Sequence, residues 1–283
     1  MKLSCLPVSL FPSILSDATT LKEWSLMAAG MALDAIDISI LFLKSRNLEY
    51  LRNIREDIEA SGMQIAVCNT YPDLTHPDSS ERRRQLSQLK ADIGAASLLG
   101  AKLVRITAGQ AHPGIEKKVG TAWVLEAFHD AARTAQSEGI GLAFENHSKP
   151  GVWKYADFSH PTDVFLEIAE GIKDTPIGIL FDTANPLAFG DDPMAILKEV
   201  LDRVVCVHAA DIREKGALRP TLIGTGIVPF RDLFSRLHEF GYEGFISIEE
   251  ASGLGVEGIQ KAVEYVRAVW RSTSLRSILP KEL

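Results

Sequence analysis

Cysteine is scarce in this sequence, and the few cysteines form no close pair. Cys5, Cys68 and Cys206 are far apart, and none belongs to a C-x-x-C motif. Disulfide scaffolds and cysteine-rich zinc sites need more cysteines at shorter spacing. The simplest expectation is a cytoplasmic protein with reduced thiols.

Positive charge is also in short supply. The 283 residues include 30 lysines and arginines against 37 aspartates and glutamates, which gives a formal net charge of −7 and a pI near 5.6. Because proteins bind a phosphate backbone through an excess of basic residues, we expect no nucleic-acid partner.

Long hydrophobic runs are missing as well. No apolar stretch is long enough to cross a bilayer, so we expect no membrane partner. The apolar segment from Leu3 to Leu15 is interrupted by Pro7 and Pro12, and no A-x-A-like cleavage site follows it. This disfavours a signal peptide and favours a first strand from Leu3 to Ser9.

What the sequence does contain is a repeated pattern of short apolar runs that stop on a polar side chain. Four runs of strand-like length do so, and a helix-like segment follows each. The four end residues are Glu145, Asp182, His208 and Glu249. A parallel α/β sheet collects its strand ends at one edge, where ligands bind. Three carboxylates and one imidazole at that edge would form a site for a hard divalent metal ion.

Side-chain alternation supports this placement. Successive strand residues point to opposite faces, so each polar end residue shares a face with the residue two positions before it. Those residues are Ala143, Leu180, Cys206 and Ser247. They are generally smaller than the residues on the opposite face, as expected inside a closed barrel, where Cys206 would be filling material. The same alternation selects Glu249 over Glu250, which should face the helices or the rim.

The whole chain alternates eight strand-like and eight helix-like segments without a linker. This predicts a single-domain α/β fold, a (β/α)8 TIM barrel over residues 1–271, followed by a tail over residues 272–283. The doubly wound alternative needs a glycine-rich phosphate turn after the first strand, and Ser9-Leu-Phe-Pro12 is not one.

Local signals set several boundaries. Ser16 or Asp17 is predicted to cap the first long helix, and Asn47 the next. Between them, a second strand is expected at Ala35 to Ser39, with its isoleucines facing the helices.

The four motifs together resemble a known family. Glu-Asn-His, Asp-Thr-Ala-Asn, Val-His-x-x-Asp and Ser-Ile-Glu, in this order, are similar to the xylose isomerase-like TIM barrel superfamily. Within it, they resemble the sugar phosphate isomerase/epimerase group that includes the ketose 3-epimerases, whose closing segments also match Gly224-Thr-Gly226. The resemblance implies that Glu145, Asp182, His208 and Glu249 ligate one divalent ion. Mn2+ is the first choice, with Mg2+, Co2+ or Zn2+ as alternatives.

The resemblance also implies a reaction. Glu145 and Glu249 would be an acid/base pair that moves a proton next to a carbonyl through an enediolate, as in a sugar isomerase or epimerase. The same intermediate could lose a leaving group, which would make the enzyme a dehydratase or lyase acting on a keto-sugar or keto-glycoside. An abasic-site endonuclease and a sugar-binding barrel without catalysis are less favoured alternatives on this fold.

Further polar residues are candidates for holding a small sugar or keto-sugar. These are His147, Asn185, Arg105 and Arg213, together with Trp153 in the loop from Ser148 to His160. Asn185 stands where the ketose 3-epimerases have a histidine, and Arg213 is only the nearest match to their arginine. The aromatic loop could close over the substrate or contact a second subunit, so a homo-oligomer is an alternative expectation.

Overall fold

The barrel prediction is confirmed in a computed structural model that describes residues 1–149 and 151–274. Eight parallel strands form one sheet in this described part of the chain, and their order runs from β1 through β8 back to β2. The strands are β1 Lys2–Leu6, β2 Ile36–Ser39, β3 Ile65–Asn69, β4 Leu103–Ile106, β5 Gly141–Glu145, β6 Gly178–Asp182, β7 Val204–Ala209 and β8 Phe245–Glu249.

Helices cover the outside of this sheet. They are α1 Phe11–Leu15, α2 Leu21–Gly30, α3 Leu48–Ala60, α4 Ser79–Leu98, α5 Lys117–Glu138, α6 Thr162–Gly171, α7 Asn185–Ala188, α8 Pro193–Val200, α9 Phe230–Phe240 and α10 Gly255–Ser274. Short 3-10 turns follow β1, β2 and α8. None of these described helices combines the length and the apolar character needed to span a membrane.

The sheet closes at the seam between β1 and β2 without a regular ladder. The backbone N–H groups of Asp34 and Ala35 both donate to the carbonyl of Leu3, at 2.8 and 3.2 Å. The N–H of Leu3 in turn donates to Asp34 Oδ2 at 2.8 Å. A side chain therefore supplies part of the pairing that a ladder would otherwise provide.

The alternation of side chains is confirmed by the packing. A small buried cluster fills the barrel interior and includes Ala143, Leu180 and Cys206. The isoleucines of β2 and β8 lie in the larger cluster between sheet and helices. Glu250 is fully buried, and an added Cβ at Gly258 of α10 would lie 2.9 Å from its Oε1, so it faces the last helix as predicted.

Two predicted boundaries are wrong. The first strand ends at Leu6 rather than Ser9, because Pro7 has no N–H to donate to a neighbouring strand. The cap of α2 is Thr20, not Ser16 or Asp17: Glu23 N donates to Thr20 Oγ1 at 3.1 Å, and the Glu23 carboxylate accepts from Thr20 N at 2.8 Å. Asn47 caps α3 as predicted, by accepting from Tyr50 N.

The end of the barrel differs slightly from the prediction. Helix α10 continues to Ser274, through the first residues of the predicted tail. The remaining tail, residues 275–283, lies outside the described residues.

Candidate functional site

The four polar residues at the ends of β5, β6, β7 and β8 converge. One oxygen or nitrogen from each of Glu145, Asp182, His208 and Glu249 lies within 4.8 Å of all the others. The first three side chains are buried, whereas that of Glu249 is 26% exposed. The cluster therefore has one open side, at Glu249.

His208 lies between two of the carboxylates. Its Nδ1 is 3.0 Å from Glu145 Oε1 and 3.0 Å from Glu249 Oε2. Burial by itself lowers the pKa of His208, but the two carboxylates outweigh it and raise this pKa well above its usual value. The imidazole is thus held where negative charge is concentrated.

Asp182 is fixed by the helix that follows it. Its Oδ1 accepts hydrogen bonds from the N–H groups of Ala184 and Asn185, at 2.8 and 2.6 Å, where the chain enters α7. Burial raises the pKa of Asp182 well above its ordinary value, and the negative charges of Glu249 and Glu145 raise it further.

Asn146 explains the middle position of the Glu-Asn-His motif. Its side chain imitates a strand neighbour, because Nδ2 donates to the carbonyl of Asp182 at 3.0 Å and Oδ1 accepts from the N–H of Asp182 at 2.7 Å. These two bonds hold the end of β5 beside the end of β6. They therefore set the distance between Glu145 and Asp182.

Arg105 points into the barrel, towards Glu145. Its Nε is 3.1 Å from Glu145 Oε2, and it also donates to Asn69 Oδ1 and to the Thr70 carbonyl. Burial alone would raise the pKa of Glu145, but Arg105, His147 and His208 together lower it to about 2. Glu145 is therefore an ionised carboxylate in this arrangement.

Asp37 is a residue at this site that the sequence analysis missed. It is fully buried at the centre of β2, and its Oδ2 is 3.9 Å from His208 Nε2, on the opposite side of the imidazole from Glu145. The same oxygen accepts a hydrogen bond from Ser247 Oγ. The alternation of Ile36, Asp37 and Ile38 was the available signal, since the outward isoleucines require Asp37 to point inward.

A cavity of about 290 Å3 opens beside the cluster. Four of the predicted substrate and catalytic residues line it: Arg105, His147, Asn185 and Glu249. Tyr71, Ser148 and Lys149 also line it and were not predicted. The Arg105 guanidinium lies 4.6 Å from the centre of the Tyr71 ring, which is a cation–π distance.

Two predicted substrate residues are placed differently from the rest. Trp153 is buried with its ring edge-on to His147, at 6.3 Å between ring centres, and does not line the cavity. Arg213 is exposed in the loop after β7, where its N–H donates to the carbonyl of Arg219. Arg213, the arginine that follows His208 most closely in the sequence, therefore does not lie at the site. Arg105 from β4 does.

His147 has a buried acidic neighbour in the following loop. Its Nδ1 is 3.7 Å from Asp157 Oδ2. Burial raises the pKa of Asp157 to about 8 and lowers that of His147 to about 4. The pair is therefore uncharged around pH 6, as expected for ionisable groups removed from water.

The loop from Ser148 to His160 is fixed by neighbouring loops. Gln110 Oε1 accepts from the N–H groups of Lys154 and Tyr155, at 2.9 and 3.1 Å. Phe158 N donates to the carbonyl of Gly109 at 2.7 Å. These bonds attach the loop to the end of β4, beside the cavity.

Asp211 explains the last position of the Val-His-x-x-Asp motif. Its carboxylate accepts hydrogen bonds from the N–H groups of Gly224, Gly226 and Val228, at 2.9, 2.9 and 3.2 Å. A Cβ on Gly226 would lie 2.2 Å from Asp211 Oδ1, so only glycine fits there. The Gly-Thr-Gly segment is therefore a structural turn at the barrel mouth.

The residues of the cluster fit a divalent metal ion. Three carboxylates and an imidazole are a common ligand set for such ions, and Arg105 supplies only one compensating positive charge. Glu145 Oε2 is buried and forms an ion pair with Arg105, but it accepts no hydrogen bond. A cation would relieve the mutual repulsion that raises the pKa of Asp182.

Comparison with known proteins agrees with this architecture. The family model described as "Xylose isomerase-like TIM barrel" matches residues 27–269. The chain belongs to the xylose isomerase-like TIM barrel family. The match contains β2 to β8 and all four clustered residues, while β1 and α1 precede it.

Curated relatives within this family include inosose dehydratases. The chain is 25% identical over 240 residues to the Klebsiella pneumoniae subsp. pneumoniae enzyme, with 72% of this chain and 77% of that protein covered. It is 25% identical over 166 residues to the Bacillus thuringiensis enzyme, and the match covers 51% of this chain and 53% of that protein. The chain thus spans about half the length of the Bacillus relative.

Solved structures show the same fold. The IOLI protein, solved with a binding zinc atom, has a TM-score of 0.79 at 18% identity, and the match covers 96% of this chain and 99% of that one. A D-tagatose 3-epimerase-like protein has a TM-score of 0.76 at 19% identity, with 99% and 100% covered. Both identities are too low to show more than the fold.

Proposed function

We propose that this protein is a divalent-metal-dependent enzyme that removes a proton next to a carbonyl of a sugar or keto-sugar, as a sugar isomerase or epimerase. The observation that supports this most is the position of the cluster. Its four ligand atoms lie within 4.8 Å of one another, and Glu249 joins it to the adjacent cavity. A substrate in that cavity would meet the metal ligands and a carboxylate base at once.

In this proposal Glu145, Asp182, His208 and Glu249 hold one ion. Mn2+ is the first candidate, because a set dominated by carboxylate oxygens suits hard ions, and the zinc-containing structural neighbour keeps Zn2+ as an alternative. The ion would supply Lewis-acid stabilisation of the negative charge that develops on the substrate oxygens.

The protein's own residues would move the proton. Glu249 is the proposed base, because its side chain is partly exposed and lines the cavity. Glu145 is the proposed second proton carrier. It projects from β5 and, unlike Glu249, does not line the cavity, so it would reach the substrate from the side of the bound ion.

A dehydratase acting through the same enediolate is the second candidate. The curated relatives described above are inosose dehydratases. Asn185 also lines the cavity at the position where the ketose 3-epimerases have a histidine. In a dehydratase the intermediate would expel a β-hydroxyl group instead of regaining a proton.

Isotope exchange tests the proposed chemistry. Protein with added Mn2+ is incubated in D2O with a panel of ketoses, inososes and keto-glycosides, and deuterium is located by NMR. Incorporation at a carbon next to the carbonyl supports the proposal, and loss of water distinguishes the dehydratase. Absence of exchange across the panel would contradict both forms.

Matched variants assign the base. Glu249→Gln should slow exchange by ~10²–10⁴-fold, which is the usual contribution of general acid–base catalysis. Glu250→Gln is the control, because this adjacent carboxylate is buried against α10 and points away from the cavity. Mn2+ content and thermal melting of both variants separate loss of the base from loss of the ion or the fold.

A further inference from the structure

The cavity beside the cluster has two unlike sides. The inner side is polar and is formed by Arg105, Tyr71, His147, Asn185 and Glu249. The other side is mainly apolar. Its lining side chains are Leu6, Val8, Phe11, Leu15, Leu41, Val152 and Leu218, with Ser148 and Lys149 as polar neighbours of Val152. A ligand that fills the cavity must therefore match a polar end and an apolar end.

Part of the apolar side is a fixed aromatic wall. Phe11 packs edge-on against the buried ring of Phe42, with 4.7 Å between ring centres. Leu15 follows one turn later on α1, and Leu41 lies next to Phe42 in the turn after β2. This wall is preformed, so a ligand would not have to pay for ordering it.

The outer rim exposes large aliphatic side chains. They come from four separate segments, and their exposed fractions are 50% for Leu15, 40% for Leu41, 62% for Val152 and 43% for Leu218. Exposed apolar residues scattered singly need no explanation, but several around one opening mark a binding site. All four line the same cavity as the carboxylate Glu249.

A free sugar matches this rim poorly. It carries a hydroxyl group on almost every carbon, and a hydroxyl placed against apolar side chains loses its hydrogen bond to water without replacement. Carbon surface placed there gains instead from leaving water. We propose that the substrate is a keto-glycoside whose sugar ring faces Glu249 and the clustered ligands, and whose apolar aglycone lies against Phe11, Leu15, Leu41 and Leu218.

This inference rests on the proposed function for the sugar ring of the keto-glycoside and on the apolar wall for its aglycone. Phe11 and Leu15 of the wall precede residue 27, where the family match begins. A second copy of the chain is a poorer occupant, because the side chains line a concave cavity continuous with the carboxylates and not a flat surface.

Paired ligands test the aglycone. Protein with added Mn2+ is titrated calorimetrically with the methyl and the phenyl glycoside of the same keto-glucose, and both are also followed for exchange in D2O. The phenyl glycoside should bind ~10–100-fold more tightly, since ring carbons leave water only in that ligand. A Leu15→Ser/Leu218→Ser double variant should lose most of this preference.

The control is Leu26→Ser, which removes an equally exposed leucine from α2, outside the residues that line the cavity. It should leave the phenyl preference unchanged. Equal binding of the two glycosides, with exchange in both, would contradict the proposed aglycone site and leave the proposed function unaffected. Tight binding of the phenyl glycoside without deuterium exchange would support the aglycone site and contradict the proposed proton removal.

Oligomeric state provides the remaining check. Sedimentation of the wild type and the double variant should give the same mass. A dimer that dissociates in the double variant, together with no phenyl preference, would assign the rim to a subunit interface and contradict the inference.

Discussion

His208 illustrates how single residues in this site are fixed by contacts on two sides. Nδ1 lies 3.0 Å from both Glu145 and Glu249. Nε2, on the other side of the ring, lies 3.9 Å from Asp37 of β2. A ligating histidine is usually oriented by an acceptor at its other nitrogen, which also selects the tautomer. Asp37, held by Ser247, is the carboxyl group beside Nε2, but at 3.9 Å it accepts no hydrogen bond from that nitrogen and acts on the imidazole electrostatically.

Asp37→Asn should therefore weaken the proposed Mn2+ binding by ~10-fold, because the imidazole would lose the carboxyl group beside its Nε2. The measurement is calorimetric titration of metal-free protein. Asp92→Asn is the control, since Asp92 is also a buried carboxyl but pairs with Arg46 on the outside of the barrel. Identical isotherms for Asp37→Asn and the wild type would show that Asp37 does not position His208.

Asp157 gives stability a pH dependence. Its pKa rises from 3.8 to about 8 on folding, mainly through burial, so between these values the folded protein keeps a proton that the unfolded chain releases. Stability from this group is complete below pH 3.8 and is lost as pH rises through about 8. In Asp157→Asn the free energy of unfolding should therefore fall less steeply with pH than in the wild type. The two slopes should differ by up to ~1.4 kcal/mol per pH unit.

Urea unfolding of metal-free protein between pH 5 and pH 7 measures this slope. The exposed Asp174→Asn serves as the control and should leave the slope unchanged. Parallel curves for Asp157→Asn and the wild type would be inconsistent with a protonated Asp157 in the folded state.

The site was partly predictable at the residue scale. Glu145, Asp182, His208 and Glu249 follow from strand ends and alternation, because both depend only on local periodicity. Asp157 and Asn146 do not, since their partners His147 and Asp182 are set by the path of a loop and by the register of β5 against β6. Proximity in sequence also misled the choice of Arg213 over residues such as Tyr71, which reach the cavity from distant strands.

At the scale of elements, the start of a helix is set by a side-chain hydrogen bond, and a sequence often contains several residues that could form it. Ser16, Asp17 and Thr20 are all good caps before α2, but only Thr20 has a glutamate three residues later. The reciprocal bonds between Thr20 and Glu23 select it. A search for the paired signal would have corrected the prediction.

Thr20→Ala should lower the free energy of unfolding by ~1 kcal/mol, the usual cost of a lost cap. Ser16→Ala, at the position first predicted, should change it by less than ~0.5 kcal/mol, as most exposed substitutions do. Chemical denaturation of the two variants compares them directly. A larger loss in Ser16→Ala would restore the first prediction.

At the scale of the whole molecule, barrel closure depends on a small number of bonds. The seam between β1 and β2 uses the carbonyl and N–H of Leu3 and the carboxylate of Asp34. The alternation of strands and helices predicts that a barrel closes. It does not predict how its first and second strands meet, because that contact is set by the loop before β2.

Asp34→Ala should open this seam more often. Hydrogen exchange at the Leu3 amide should rise by ~5-fold, the equivalent of ~1 kcal/mol, because its N–H loses a charged acceptor. Asp57→Ala removes only an exposed ion pair with Lys22 and should leave that amide unaffected. Unchanged exchange at Leu3 in Asp34→Ala would show that the two backbone bonds suffice.

The apolar wall formed by Phe11, Leu15 and Leu41 is encoded far from the clustered carboxylates. These three residues lie between positions 11 and 41 of the sequence, whereas the first of the clustered residues is Glu145. The rim residues Val152 and Leu218 lie between clustered residues in the sequence. Substitutions at the wall residues could therefore change which molecules are accepted without altering the groups that would perform the chemistry. Diversification of such a barrel can proceed one end at a time.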